Sequence, residues 1–347
     1  MYDPTRHVVV DANVLSAYLH SGSTHNQRVR ERSRILLEAA ITARWPGLRL
    51  YTPAICIAES LAVLDKYRFC EWHGPVKQDK SKQLSAEAYE QARNILARAV
   101  KERIVEELDH EPQHILLAGL ISPVNCRYQI RRKRKTRKTG TPKVTSSQIK
   151  PPMGAADCLI VGLASHLVQR VGRAFTLLAT GDQRLADVLA KARKLRPDKA
   201  AALGLTKTAE EAGLGWDGKV YPNVVNLQRA TENEMRTAFG GWPLPVKPLT
   251  VKCREELTRS EQSDLVNAWL AVATEHGITN PDSIAYSPAL EDIRTRFAVA
   301  TSIHLRSQDV FLFLLGRRKA TRLPKPGTDQ SVEGVESLPL FPKEVDQ

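Results

Sequence analysis

Apolar residues in this chain fall into short β-branched runs separated by longer stretches with helical spacing. The run His7-Val8-Val9-Val10 ends at Asp11, and Ala12 to Leu19 continues with helical spacing, so the first unit reads as a buried strand feeding a helix. The same reading predicts a helix from Asn26 to Ala43, a strand over Leu48 to Tyr51, and a helix opened by Pro53 that carries Glu59. A further helix is expected over residues 85 to 108, with Ser85 as its cap and Glu87 and Glu90 near its positive end. Gly154 to Val168 reads as an apolar helix bearing Asp157, Ala174 to Ala179 as a strand running into Thr180-Gly181-Asp182, Gln183 to Lys194 as a helix, and Val220 to Leu227 as a closing strand. Strands alternating with helices of this length predict an α/β unit over residues 1–228, with a central parallel sheet covered on both faces.

Beyond it the pattern changes. Residues 229–250, Pro-rich from Trp242 to Pro248, read as a linker. Residues 251–325 read as a small all-α domain of three helices, Ser260 to His276, Pro288 to Ile303 capped by Ser287, and Ser307 to Arg318 capped by Ser307. The short turn between the last two suggests a helix-turn-helix-like unit, in which Arg317, Arg318, Lys319, Arg322 and Lys325 would face phosphates. The last helix is apolar nearly all round, however, and a recognition helix needs an exposed polar face; packing or partner binding is the favoured role. The polar tail 326–347 is expected to be disordered.

Composition narrows the class. A hydrophobic fraction of 42% over 347 residues supports a substantial core. No apolar stretch is long enough to span a bilayer and no charged-then-apolar leader is visible, so a cytoplasmic protein is expected. Five cysteines stand apart, without a CxxC pair or a cysteine-histidine cluster, which argues against a zinc site and a disulfide framework. The net charge of +13 is concentrated, because residues 127–150 carry ten Lys/Arg and no acid. From Pro245 onward 13 basic residues face 14 acidic ones, so a polyanion-binding surface is expected in the first part of the chain.

Candidate chemistry follows from placement. Asp11 and Asp182 directly follow strands, and Glu59 and Asp157 lie near helix starts; in open α/β sheets both positions reach the edge at the carboxyl ends of the strands. Any one of these acids taken alone is more often a helix cap or a dipole-compatible residue. Four together would raise one another's pKa unless cations neutralised them. Hard Mg²⁺ or Mn²⁺ suits carboxylate oxygens, and two such ions roughly 3.5–4 Å apart can drive an in-line phosphodiester displacement.

Val8-Val9-Val10-Asp11-Ala12-Asn13-Val14-Leu15, Thr52-Pro53 through Glu59, Ala156-Asp157-Cys158-Leu159-Ile160 and Ala179-Thr180-Gly181-Asp182-Gln183-Arg184-Leu185 resemble, in order, the acidic motifs of PIN-domain nucleases. The resemblance covers about residues 6 to 228 and implies a PIN-like three-layer α/β/α fold. It implies metal ligation and catalysis by Asp11, Glu59, Asp157 and Asp182, with Asn13 and Thr180 orienting ligands or water. The implied activity is metal-dependent endoribonuclease cleavage, of toxin or defence type. A homodimer and a protein inhibitor of antitoxin type are the partners such relatives imply. The interval from Glu59 to Asp157 is longer than in compact members, which leaves a non-catalytic RNA-binding PIN protein as an alternative; a DNA nuclease or DNA-associated factor using the C-terminal helices is the other.

Seven of the eight residues from Arg131 to Lys138 are basic. Arg127, Arg131, Arg132, Lys133, Arg134, Lys135, Arg137 and Lys138 are therefore expected to bind nucleic acid, as a hairpin arm or a loop hanging near the acidic edge. Such a charge run is more often simply a solvated face. Its position just before Asp157 favours contact with nucleic acid, held while the acids cut it. Tyr128 and Trp72 are candidate base-stacking residues.

Overall fold

The computed structural model describes residues 5–20, 26–69, 83–109, 111–127, 153–214, 216, 219–285 and 287–320. Strand β1 (Arg6–Val10) leads into helix α1 (Ala12–Leu19), followed by α2 (Gln27–Ile41), β2 (Leu48–Pro53), α3 (Ala54–Phe69), α4 (Ala86–Lys101), β3 (Val105–Leu108) and α5 (Pro112–Ala118). Then come α6 (Ala155–Val171), β4 (Thr176–Thr180), α7 (Gln183–Ala192), the short α8 (Pro197–Ala201) and α9 (Leu205–Glu211), β5 (Asn223–Asn226) and α10 (Glu232–Phe239). The C-terminal region holds β6 (Thr250–Val251), α11 (Arg259–His276), α12 (Pro288–Thr301), β7 (Ile303–His304) and α13 (Ser307–Lys319).

Strands β1 to β5 form one all-parallel sheet in the order β3-β2-β1-β4-β5, flanked by helices. The centre belongs to β1 because its side chains suit nothing else: Val8, Val9 and Val10 are wholly buried, and β-branched residues fit a pleated interior. Each such side chain contributes about 1.5–3 kcal/mol of hydrophobic stabilisation relative to exposure. Val9 pairs with Tyr51, and Val10 with Ala179. The register brings Asp11, the start of α3 and Thr180 to the same end of the sheet.

Residues 85 to 108 are not one helix. Helix α4 ends at Lys101, Arg103 turns the chain at φ 52°, and β3 pairs with β2 from Leu50–Val105 to Pro53–Leu108. Glu106 and Glu107 in the middle of this edge strand hide its strand character, since acids are depleted from strands and fit a helical continuation better.

Helix α6 packs against both β4 and α5. The close approach to α5 depends on Gly162, where a Cβ would lie 2.3 Å from the carbonyl oxygen of His114 and 2.9 Å from the amide of Ala118.

The stretch expected as a linker is part of the main core instead. Thr231 and Glu234 cap α10 reciprocally, and Met235, Phe239, Trp242 and Leu244 are buried in the same apolar cluster as the sheet. Buried Arg32 on α2 ties this segment down through the carbonyls of Ala230 (2.7 Å) and Leu227 (3.1 Å) and the Glu232 carboxylate (2.5 Å). Pro243, Pro245 and Pro248 crowd the end of this stretch, which is why the segment reads as a linker.

The C-terminal helices build their own cluster around Trp269, Phe297 and Leu314, and β6 pairs in parallel with β7, so the region is not all-α. It is docked on the α/β unit. Arg294, buried beside Glu291, stacks over Trp45 with its guanidinium carbon 4.7 Å from the ring centroid, and His304 meets the same ring edge-on. Ser287 makes no side-chain cap bond, and Ser307 is the first residue of α13, where its hydroxyl donates to Glu291 at 2.6 Å. Among the described residues no helix is long and apolar enough to cross a membrane.

Candidate functional site

Asp11 has extended backbone angles, φ −84° and ψ 170°, that let its carboxylate turn back on α1, where Oδ1 accepts the Val14 N–H at 3.0 Å. Asp182 does the same for α7, accepting the Arg184 N–H at 2.6 Å. Asp157, in the first turn of α6, accepts the Gly154 N–H at 3.0 Å. Thr180 links the first two: its hydroxyl donates to Asp11 Oδ2 and accepts the Asp182 N–H at 2.8 Å. Asn13 donates weakly to the same Asp11 oxygen at 3.5 Å. Glu59 is exposed in the second turn of α3, whose seat against α1 is fixed by the buried Ser60 hydroxyl, 2.7 Å from the Cys56 carbonyl and 3.5 Å from that of Ala12.

The electrostatics tie the acids together through Asp157. Asp11 is 3% exposed, and burial pushes its carboxyl up to about 6; the Thr180, Val14 and Asn13 donors oppose that rise and the charge of Asp157 adds to it. Glu59 is raised by desolvation and then by Asp157. Asp157 is itself raised by burial and by Asp182, against the pull of the Gly154 amide and of Arg184. Buried Cys56 feels Asp11, Glu59 and Asp157 together, and its thiol is held far above the ordinary range, first by desolvation and then by these charges.

The carboxylates share an edge without closing into a compact cage. Among the described residues no three of them bring ligand oxygens within 4.8 Å of one another. The cause of this looser set is visible: Asp11, Asp157 and Asp182 each turn an oxygen toward a helix-start amide, and like charges gain nothing by approaching further. The donor set still fits a hard divalent cation, since it consists of oxygens alone. Among the described residues no Lys or Arg forms an ion pair with any of the four.

Two features are not legible in the sequence pattern. Arg184, one residue into the α7 turn, is the cation acting on Asp157, and its buried Nε has no hydrogen-bond partner among the described residues; its place two residues after Asp182 is the available signal. The second is Glu111, His114 and His166, whose ligand atoms do lie within 4.8 Å of one another, although cysteine and histidine usage argues against a zinc site. Only the Glu111-x-x-His114 spacing hints at it, because His166 joins from another helix.

Of the basic residues, Arg127 is half-buried at the end of a helical turn at 122–127, while Arg131, Arg132, Lys133, Arg134, Lys135, Arg137 and Lys138 lie outside the described residues, as do Tyr128, Trp72, Arg322, Lys325 and the tail 326–347. In the C-terminal region Arg317 is buried, donating to Gln262 at 2.9 Å, and Arg318 pairs with Asp282 and donates to Asn280 at 2.8 Å. Arg317 is thus engaged within the fold, whereas the Arg318 pair lies at the surface.

No protein-family model matches the chain, and no curated protein and no solved structure matches it either.

Proposed function

We propose that the chain is a PIN-like, metal-dependent ribonuclease that hydrolyses RNA phosphodiesters at the edge formed by Asp11, Glu59, Asp157 and Asp182. The observation that carries this reading is the burial of Asp11 beside the like charge of Asp157. A buried carboxylate with an acidic neighbour is costly unless a cation joins it. Mg²⁺ or Mn²⁺ would supply that cation and activate a water for attack on phosphorus. Thr180 holds Asp11 and the start of α7 in fixed relation, and Arg184 offers guanidinium donors to a phosphate oxygen beside the acids. The basic residues of 127–150 would hold the RNA backbone, with affinity falling steeply as salt rises.

The test uses the purified protein and its Asp182→Asn variant with labelled single-stranded RNA, single-stranded DNA and duplex DNA, in Mg²⁺, in Mn²⁺ and in chelator. Asparagine caps a helix about as well as aspartate, so the variant is expected to fold and to lose at least about a hundredfold in cleavage, the order of loss when one transition-state-stabilising group is removed. Metal-dependent cutting of RNA that survives in the variant would reject the site. Salt-dependent RNA binding with no cutting under any condition would replace the enzyme by a binding-only protein, and cutting confined to DNA would replace the substrate.

A further inference from the structure

Away from the acidic edge, His114 on α5 and His166 on α6 face one another, with Nε2 of His114 2.8 Å from Nδ1 of His166. The Glu111 backbone N–H donates to the other nitrogen of His114 at 3.0 Å. That bond fixes the protons of the neutral pair: His114 carries its hydrogen on Nε2 and directs it at the lone pair of His166 Nδ1. His114 is buried, His166 half-buried and Glu111 exposed, and one ligand atom from each lies within 4.8 Å of the other two. Two imidazoles and a carboxylate thus converge from two helices whose separation is set by the close contact at Gly162, one turn before His166.

We infer that Glu111, His114 and His166 form a site for a borderline transition-metal ion of the Zn²⁺, Co²⁺ or Ni²⁺ class, clamping the start of α5 to α6. Nitrogen donors select these ions over Mg²⁺ and Ca²⁺, which take oxygen. An ion at the usual distance of 2.0–2.1 Å from both nitrogens holds them about 3.3 Å apart in tetrahedral geometry, so the histidines need separate by only about half an ångström. His166 Nδ1 is already deprotonated and can coordinate as it stands. His114 must move its hydrogen from Nε2 to Nδ1 through solvent, giving up the bond from the Glu111 amide; no net proton is released by that exchange. Glu111, on the solvent side, completes three protein ligands and gives the ion its route of entry, with water in the remaining position.

The alternative occupant of this geometry is the hydrogen-bonded chain alone, Glu111 N–H to His114 to His166. Co²⁺ titration of chelator-stripped full-length protein in excess Mg²⁺ separates the two, because Mg²⁺ holds the oxygen-only site while visible Co²⁺ bands report nitrogen ligation. One equivalent of Co²⁺ is expected to bind in the wild type and in Asp11→Asn alike. Glu111→Gln and His166→Gln, the latter able to accept the His114 bond, are each expected to weaken binding by at least about tenfold, since even indirect supports of a ligand cost that much. Thermal unfolding of each variant without metal checks that the fold is intact. No Co²⁺ binding, or binding unchanged in both folded variants, overturns the site; binding lost in Asp11→Asn instead assigns the ion to the acidic edge.

Discussion

Asp11 serves two masters, the start of α1 and the charge of the site, and its burial makes the conflict measurable. An acid whose folded pKa of about 6 lies above the ordinary aspartate value of 3.8 binds protons more tightly in the folded state. Its favourable contribution is complete below about pH 4 and is lost as pH rises through 6, a swing of roughly 3 kcal/mol. In chelator, Asp11→Asn is therefore expected to melt higher than the wild type at pH 7.5, with the difference closing only below about pH 4; a gap that is constant with pH would rule out an ionised buried Asp11. Added Mg²⁺ should narrow the gap by stabilising the wild type more. Thr180→Val probes the same joint from the other side. It leaves the Asp182 amide and an Asp11 oxygen without their hydroxyl partner, and the loss of two such bonds predicts about 1–3 kcal/mol lower stability in denaturant titrations.

Elements whose local pattern agrees with their surroundings are legible in the amino-acid sequence alone. Strand β1 and its Asp11 turn, α2, α6, β4 with Asp182, and the C-terminal helices have apolar runs bounded by polar, Gly or Pro residues, so their edges are found to within a few residues. Strand β3 is not, because two glutamates occupy the centre of an edge strand, nor is α10, whose few core residues are interleaved with charged and polar ones and followed by a Pro-rich stretch. The same limit applies to the site. That the acids reach one edge follows from strand and helix order, and the capping role of Asp11 and Asp182 from their residue type at a helix start, whereas how closely their oxygens approach depends on side-chain rotamers that no pattern of residue types reveals. Gly162 is a further case: an isolated glycine in an apolar helix costs stability in isolation, and only the crossing with α5 explains it. Gly162→Ala should force the helices apart, destabilising the protein by about 1–3 kcal/mol; a neutral effect in a melting experiment would mean that α5 yields easily.

At the scale of the whole chain, the α/β unit and the C-terminal helices have separate apolar clusters but a shared seam. Ala298 of α12 belongs to the larger cluster, Arg294 covers Trp45, and Glu275 pairs with both Arg236 and Arg296 at 2.7 and 2.5 Å. Such a seam predicts one cooperative thermal transition rather than two. Arg294→Ala is expected to uncouple it, removing the stack on Trp45 and the ion pair with Glu291 and resolving two transitions in calorimetry. Two transitions already present in the wild type would show the regions to be energetically independent.

The double duty of the acidic residues also bears on how related chains would diverge. Asp11 and Asp182 begin helices, so selection for folding alone would be enough to retain them. Glu59 begins no helix and is exposed in mid-element, so under the proposed function only the chemistry would protect it. Under the proposed function, a descendant that kept both aspartates and let Glu59 drift would preserve this fold while losing the activity, and Glu59 is accordingly the position at which inheritance of fold and inheritance of function would come apart.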